Sequence, residues 1–138
     1  EAASAGGEIL TGGDLVDDGR CLAPTVLKEP PKEAKVWCEE IFGPVATLHS
    51  YGSFDEALEL ANDAKYGLQA GVFTAGLAAA REAAMGLDVG GILINEIPTY
   101  RADNAPYGGM KASGLGREGV RYAMEEYSER KTIIEWRG

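Results

Sequence analysis

The sequence of 138 residues has only two cysteines, one histidine and 13 basic residues against 22 acidic ones. Two cysteines are too few for a disulfide scaffold, so a thiol-bearing intracellular protein is expected. Cys21 and Cys38 have no histidine nearby and read as packing thiols rather than activated nucleophiles. His49 has no second histidine or close cysteine beside it, so a metal site is not expected and a structural role is. The net charge of −9 argues against nucleic acid as a partner, because phosphate binding needs clustered positive charge. No apolar run approaches the roughly 18 residues of a membrane span. No basic segment leads into an apolar stretch, so a signal peptide and a membrane partner are not expected. A cytoplasmic location follows as the expectation.

What the chain does have is glycine. Its 19 glycines are about twice the usual share of roughly 7%. Otherwise the composition is that of an ordinary globular protein, 45% hydrophobic and 25% charged, and the length suits one domain spanning residues 1–138.

Residues 1–5 read as the tail of a helix, with Gly6 and Gly7 as its cap. Glu8–Gly12 and Cys21–Leu27 are short strand candidates around an acidic turn, and Lys28–Lys35 reads as a surface loop. The middle is clearer. Val45–Tyr51 predicts a strand. Ser53 and Glu56 fit a capping box, followed by Phe54, Ala57, Leu58 and Ala61 on one helical face. Leu68–Phe73 predicts a strand, Leu77–Leu87 a helix, and Val89–Asn95 another strand. The expected fold is therefore α/β: a β-α-β-α-β core with a mostly parallel sheet. A long loop, a helix over Arg117–Ser128 and a C-terminal strand over 131–136 follow. In such sheets ligands sit beyond the carboxyl ends of the strands. The loop Glu96–Leu115 exceeds the usual length for structureless connections and is a candidate site.

Two segments could carry chemistry. Glu39-Glu40-Ile41-Phe42-Gly43-Pro44-Val45 fits a loop with solvated acids and a buried Phe42. Composition alone favours that reading; the sharper one is a carboxylate that holds a pair of vicinal hydroxyls, with Phe42 as a flat wall for a ring. In the long loop, Arg101 offers a planar fork for carboxylate or phosphate. A surface ion pair with Asp103 or another nearby acid is at least as good a reading. Lys111 could bind an anion or simply cover the loop. Gly114-Leu115-Gly116-Arg117-Glu118-Gly119 spells G-x-G-x-x-G, but a dinucleotide fingerprint must follow a strand in a βαβ unit. Here it follows a glycine-rich loop, so a tight entry into a helix is expected.

Taken together, these segments resemble the aldehyde dehydrogenase superfamily. The resemblance rests on Glu39–Val45, Asn62, Tyr66-Gly67-Leu68, Val72-Phe73-Thr74 and Gly91-Ile92-Leu93-Ile94-Asn95. It continues through Pro106–Gly114, Gly116-Arg117-Glu118 and Tyr127–Thr132, in family order over nearly the whole chain. The loop Asn95–Glu118 looks most like the lactaldehyde and non-phosphorylating glyceraldehyde-3-phosphate dehydrogenase branch. The resemblance implies an oxidoreductase that takes a small aldehyde to an acid through a cysteine thiohemiacetal, with NAD or NADP as cofactor. It places Glu40 at the nicotinamide ribose hydroxyls and Phe42 beside that ribose and ring. Tyr107 falls at the substrate entrance, and Arg101 where some relatives meet anionic substrates with a cation. It assigns 131–136 to an oligomerisation strand and implies a homo-oligomer. The family's nucleophile, general base and Rossmann-type domain all lie upstream of the Glu39–Val45 block. The chain is thus expected to be the C-terminal part of a catalytic domain, with no catalytic residue of its own and inactive alone. The strand-end rule puts Arg101, but not Glu40, at a ligand-binding edge; only the resemblance assigns both to one site.

Two other readings compete. One is a freestanding interaction module that assembles through its last strand. The other is a small-anion binding module built on Arg101 and Lys111.

Overall fold

The computed structural model describes residues 1–138. The contacts fall into two compact units, Glu1–Ala64 and Lys65–Gly138.

The first unit opens with a turn of helix-end geometry. Gly7 N–H donates to Ala2 O (2.9 Å) and Gly6 N–H to Ala3 O (3.3 Å), with Gly6 at φ +119°. This is the bond pattern of a Schellman-type cap, where glycine tolerates positive φ. Strand β1 (Glu8–Thr11) pairs antiparallel with β4 (Thr25–Lys28), which pairs parallel with β5 (Val45–Leu48). The expected Cys21–Leu27 strand is broken at Ala23-Pro24. Its first part, β3 (Cys21–Leu22), forms a separate hairpin with β2 (Leu15–Val16). Proline has no N–H for a ladder, so a strand running through Pro24 would lose a bond. Central β4 points Thr25 and Leu27 inward, and both are buried. The surface loop after β4 holds a short helix, α1 (Lys35–Cys38). Helix α2 (Phe54–Asn62) starts as expected, with Glu56 N–H donating to Ser53 Oγ at 3.2 Å. The Glu56 carboxylate reaches back to Gly52 N–H (2.6 Å) rather than to the cap residue's own amide.

In the second unit β7 (Gln69–Val72), α3 (Leu77–Gly86) and β8 (Gly91–Ile94) form a parallel strand pair with a helical crossover. Ala83 of α3 is fully buried. Strand β6 (Tyr66–Gly67) pairs antiparallel with β9 (Met110–Lys111). Helix α4 (Val120–Glu126) follows.

The α/β class is as expected, and parallel pairing occurs twice. The five-element core does not share one sheet, however: β5 belongs to the sheet of β1 and β4, and β7 to that of β8. Strand β5 takes its parallel partner from upstream, a strand that periodicity alone cannot link to it. The C-terminal strand expected over 131–136 is also absent, since residues 128–138 lie outside every helix and strand. A strand exists only by pairing, and no strand of this chain pairs with that segment. The apolar side chains Ile133, Ile134 and Trp136 stand exposed there. No helix is long and apolar enough to cross a membrane.

Candidate functional site

The long loop leaves the end of β8 at Asn95, which sits in the left-handed region at φ +58°. Asparagine tolerates this conformation better than most residues. Its N–H donates to Val72 O and its Oδ1 accepts from Thr74 N–H, both at 2.8 Å. The carboxyl ends of β7 and β8 are thereby tied together, and the loop starts from a fixed direction.

The loop is not structureless. Met110–Lys111 forms β9, and Ser113 Oγ accepts from Gly67 N–H at 2.9 Å. Tyr107 and Glu118 form an isolated antiparallel bridge: Tyr107 N–H donates to Glu118 O (3.0 Å) and Glu118 N–H to Tyr107 O (2.6 Å). Arg117 Nη1 donates to Gly109 O and Gly116 O at 2.9 and 2.7 Å. Behind the loop, Gly90 is packed so closely that a Cβ would lie 1.6 Å from Gly108 O.

This wiring brings Arg101 and Tyr107 together. The Arg101 guanidinium carbon lies 4.3 Å from the Tyr107 ring centroid, within cation–π range. Arg101 Nη2 donates to Glu118 Oε2 at 2.5 Å. The surface ion pair considered for Arg101 therefore exists, but with Glu118 rather than Asp103. Sequence could not name that acid, because the Tyr107–Glu118 bridge that delivers it leaves no periodic signal. The Arg101 and Glu118 side chains are 51% and 66% exposed, so the pair is solvated and adds little to stability.

The glycines of the G-x-G-x-x-G string, Gly114, Gly116 and Gly119, all have positive φ (147°, 70° and 124°). They form the tight entry into α4 that sequence suggested, and no strand follows that helix. Lys111 also has positive φ, 54°, in the turn that closes β9.

Glu40 and Phe42 belong to the first unit, on the loop between α1 and β5. The chain turns there through Gly43 N–H to Ile41 O and Val45 N–H to Gly43 O, both 2.8 Å. The ladder continues from Pro44 O to Thr25 N–H at 2.8 Å. Glu40 is exposed. Phe42 is 95% exposed, which corrects the reading of a buried ring: Gly43-Pro44 turns the chain away and leaves Phe42 outside.

A third cluster lies at the end of β5. His49 Nδ1 is 3.5 Å from Glu29 Oε2, and its ring meets Trp37 edge-on at 4.2 Å between centroids. Its Nε2 is enclosed without a hydrogen-bond partner, so the structural histidine is satisfied on one side only. Glu29 Oε1 accepts from Ser50 Oγ (2.5 Å) and Ser50 N–H (2.8 Å). These bonds from Ser50, with a smaller contribution from His49, hold the Glu29 carboxyl below its ordinary range. Cys21 and Cys38 are free and exposed.

Parallel strands joined by a helical crossover, with charged and aromatic side chains on the loop beyond their ends, are the build of an α/β domain with a candidate ligand site at its strand ends. Comparison with known proteins narrows this class. The model of the aldehyde dehydrogenase family matches residues 1–133. A 3-sulfolactaldehyde dehydrogenase of Priestia aryabhattai is 42% identical over 134 residues, 97% of this chain and 28% of that protein. A lactaldehyde dehydrogenase of Methanococcus maripaludis is 44% identical over 134 residues, again 97% and 28%. Among solved structures, an aldehyde dehydrogenase of Physcomitrella patens in complex with the reaction product succinate is 47% identical with a TM-score of 0.86. The match covers 91% of this chain and 26% of that one. A glyceraldehyde-3-phosphate dehydrogenase of Methanocaldococcus jannaschii complexed with NADP is 39% identical with a TM-score of 0.85, covering 96% and 28%. The chain belongs to the aldehyde dehydrogenase family, and it spans about 28% of the length of the curated relatives it matches.

Proposed function

We propose that residues 1–138 are the C-terminal part of the catalytic domain of a longer NAD(P)-dependent aldehyde dehydrogenase. That enzyme oxidises a small aldehyde to a carboxylic acid through a cysteine thiohemiacetal. The observation that carries the reading is the family match over 1–133 at only about 28% of the relatives' length. The nucleophile and general base are assigned to the rest of that longer chain, and so is most of the cofactor-binding surface. The residues here supply walls and positioning groups.

The chain's residues suit the cofactor. Glu40 is an exposed carboxylate, able to accept two hydrogen bonds from a ribose diol. Phe42, two residues on, presents a bare apolar ring beside it. Bound NAD(P)+ supplies the hydride acceptor. On the substrate side, Tyr107 lines the entrance and Arg101 meets an anionic group on the aldehyde. Two comparisons favour an anion-bearing substrate: one relative is named for a sulfonated aldehyde, and one solved structure holds a dicarboxylate product. Many apolar side chains stand bare, among them Met85, Leu115, Tyr127 and Trp136, as faces covered by further chain would. Residues 131–136, unpaired here, are read as the strand through which copies assemble.

The test is expression of the longer reading frame that contains Glu1–Gly138. It is expected to form NAD(P)H from short aldehydes, and to run as a dimer or larger species in light scattering. Absence of aldehyde-dependent NAD(P)H formation across a panel of short neutral and anionic aldehydes would overturn the assignment.

A further inference from the structure

We propose that Glu118 is a positioning residue that sets the Arg101 guanidinium for an anionic substrate group. The inference rests on the substrate role of Arg101 given above. Three contacts carry it. The Tyr107–Glu118 bridge fixes the two residues opposite one another across the loop, through backbone bonds of 3.0 and 2.6 Å. The Arg101 guanidinium carbon sits over the Tyr107 ring, 4.3 Å from its centroid. The Glu118 carboxylate then takes one nitrogen, Nη2, with one oxygen, Oε2. A guanidinium has five donors in a fixed fork. A single contact at Nη2 plus a ring against the guanidinium carbon restrains the fork while spending little of it. The remaining donors can engage a second, incoming carboxylate, sulfonate or phosphate.

The arrangement is pre-formed within this chain, at half-exposed side chains that solvent and small ions can reach. A long flexible arginine held in one rotamer before the ligand arrives loses less entropy on binding. Glu118 also partly neutralises Arg101. It therefore tunes the site toward ligands that can satisfy the fork geometrically, and away from anions held by charge alone. Because the bridge to Tyr107 runs through backbone atoms, removing the Glu118 side chain leaves the loop's own pairing in place.

The experiment uses the longer enzyme. It compares kcat/KM for two short aldehydes of equal length, one ending in a carboxylate and one in a neutral group. The wild type is expected to prefer the anionic aldehyde, and Arg101→Met to lose that preference. Glu118→Ala is expected to lower the preference about tenfold through KM, with kcat for the neutral aldehyde unchanged. Glu118→Gln, which keeps the shape and one acceptor oxygen, is expected to fall between the two. In the Arg101→Met background, Glu118→Ala is expected to change the preference less than about twofold, because the residue acts through Arg101. Thermal melting identifies any variant that fails to fold, and the Gln variant then decides. A preference lost in Arg101→Met but unmoved by both Glu118 variants overturns the Glu118 proposal alone. An equal fall in kcat for both aldehydes also overturns it, by giving Glu118 a structural or chemical role instead. A wild type with no preference overturns the substrate reading and this proposal together.

Discussion

The two candidate loops differ in how much of their geometry this chain supplies. The long loop after β8 is held by its own contacts: the Asn95 tie, the Tyr107–Glu118 bridge, β9 on β6, and Arg117 on two carbonyls. Its Arg101 and Tyr107 side chains arrive already oriented. The Glu39–Pro44 loop is held by backbone bonds alone, from Glu39 N–H to Lys35 O, at the Gly43 turn and from Thr25 N–H to Pro44 O, and Glu40 and Phe42 project from it exposed. The difference teaches where preorganisation resides. On the proposed roles, the group that meets a charged ligand in one orientation is wired in place, whereas the wall and the diol acceptor have only a firm strand behind them.

Substitution of glycines behind the loops should break this contrast most strongly. Gly90→Ala would drive a Cβ into Gly108 O, against backbone that cannot swing aside. The expected cost is about 3 kcal/mol in urea unfolding, the upper end of ordinary overpacking. Gly43→Ala meets nothing nearer than 3.8 Å and is expected to cost less than about 0.5 kcal/mol. Equal costs would mean that the two loops are alike after all.

Next in size is the cofactor side. Glu40→Gln in the longer enzyme keeps the shape but loses the charge that strengthens hydrogen bonds to a diol. KM for NAD(P)+ is expected to rise about tenfold, in line with the worth of a charge-assisted bond. The same change is expected to leave the unfolding midpoint of the chain unmoved, since Glu40 is exposed. A shift in stability without a shift in KM would transfer Glu40 from the site to the scaffold.

The smallest effect concerns acid. The Glu29 carboxyl is held below its ordinary value by the bonds from Ser50, so the folded chain binds that proton more weakly than the unfolded chain. Its stabilising contribution is complete above the ordinary glutamate value of about 4.3 and is lost as pH falls through the lower folded value. The gap in urea midpoint between wild type and Glu29→Gln should therefore close on acidification from neutral pH. A gap that does not change with pH would show that the bonds, not the charge, account for the difference.

Much of this was legible in the chain. Ser53 with Glu56 announced α2, and the Ala-rich run announced α3, because capping and helical spacing are local signals. The order of motifs from Glu39 to Thr132 pointed to the family. Partnership between distant segments was not legible. Nothing local in Val45–Leu48 says that it pairs with Thr25–Lys28, and nothing in Arg101 says that its carboxylate is Glu118 rather than Asp103. Residues 131–136 alternate like a strand, but a strand depends on a partner that no other segment of this chain provides. Of the two readings of Phe42, a buried ring or an open wall, composition favoured the first and the structure leaves the ring exposed. Its position past α1, at a Gly-Pro corner, leaves it outside.

On the proposed function, residues 1–138 position substrate and cofactor while the bond-making groups lie elsewhere in a longer enzyme. The most direct measurement is NAD(P)H formation by purified Glu1–Gly138 alone, with NAD+ or NADP+ and a panel of short aldehydes. No turnover above the protein-free rate is expected. Aldehyde-dependent turnover that a thiol blocker abolishes would contradict it, by making Cys21 or Cys38 the nucleophile.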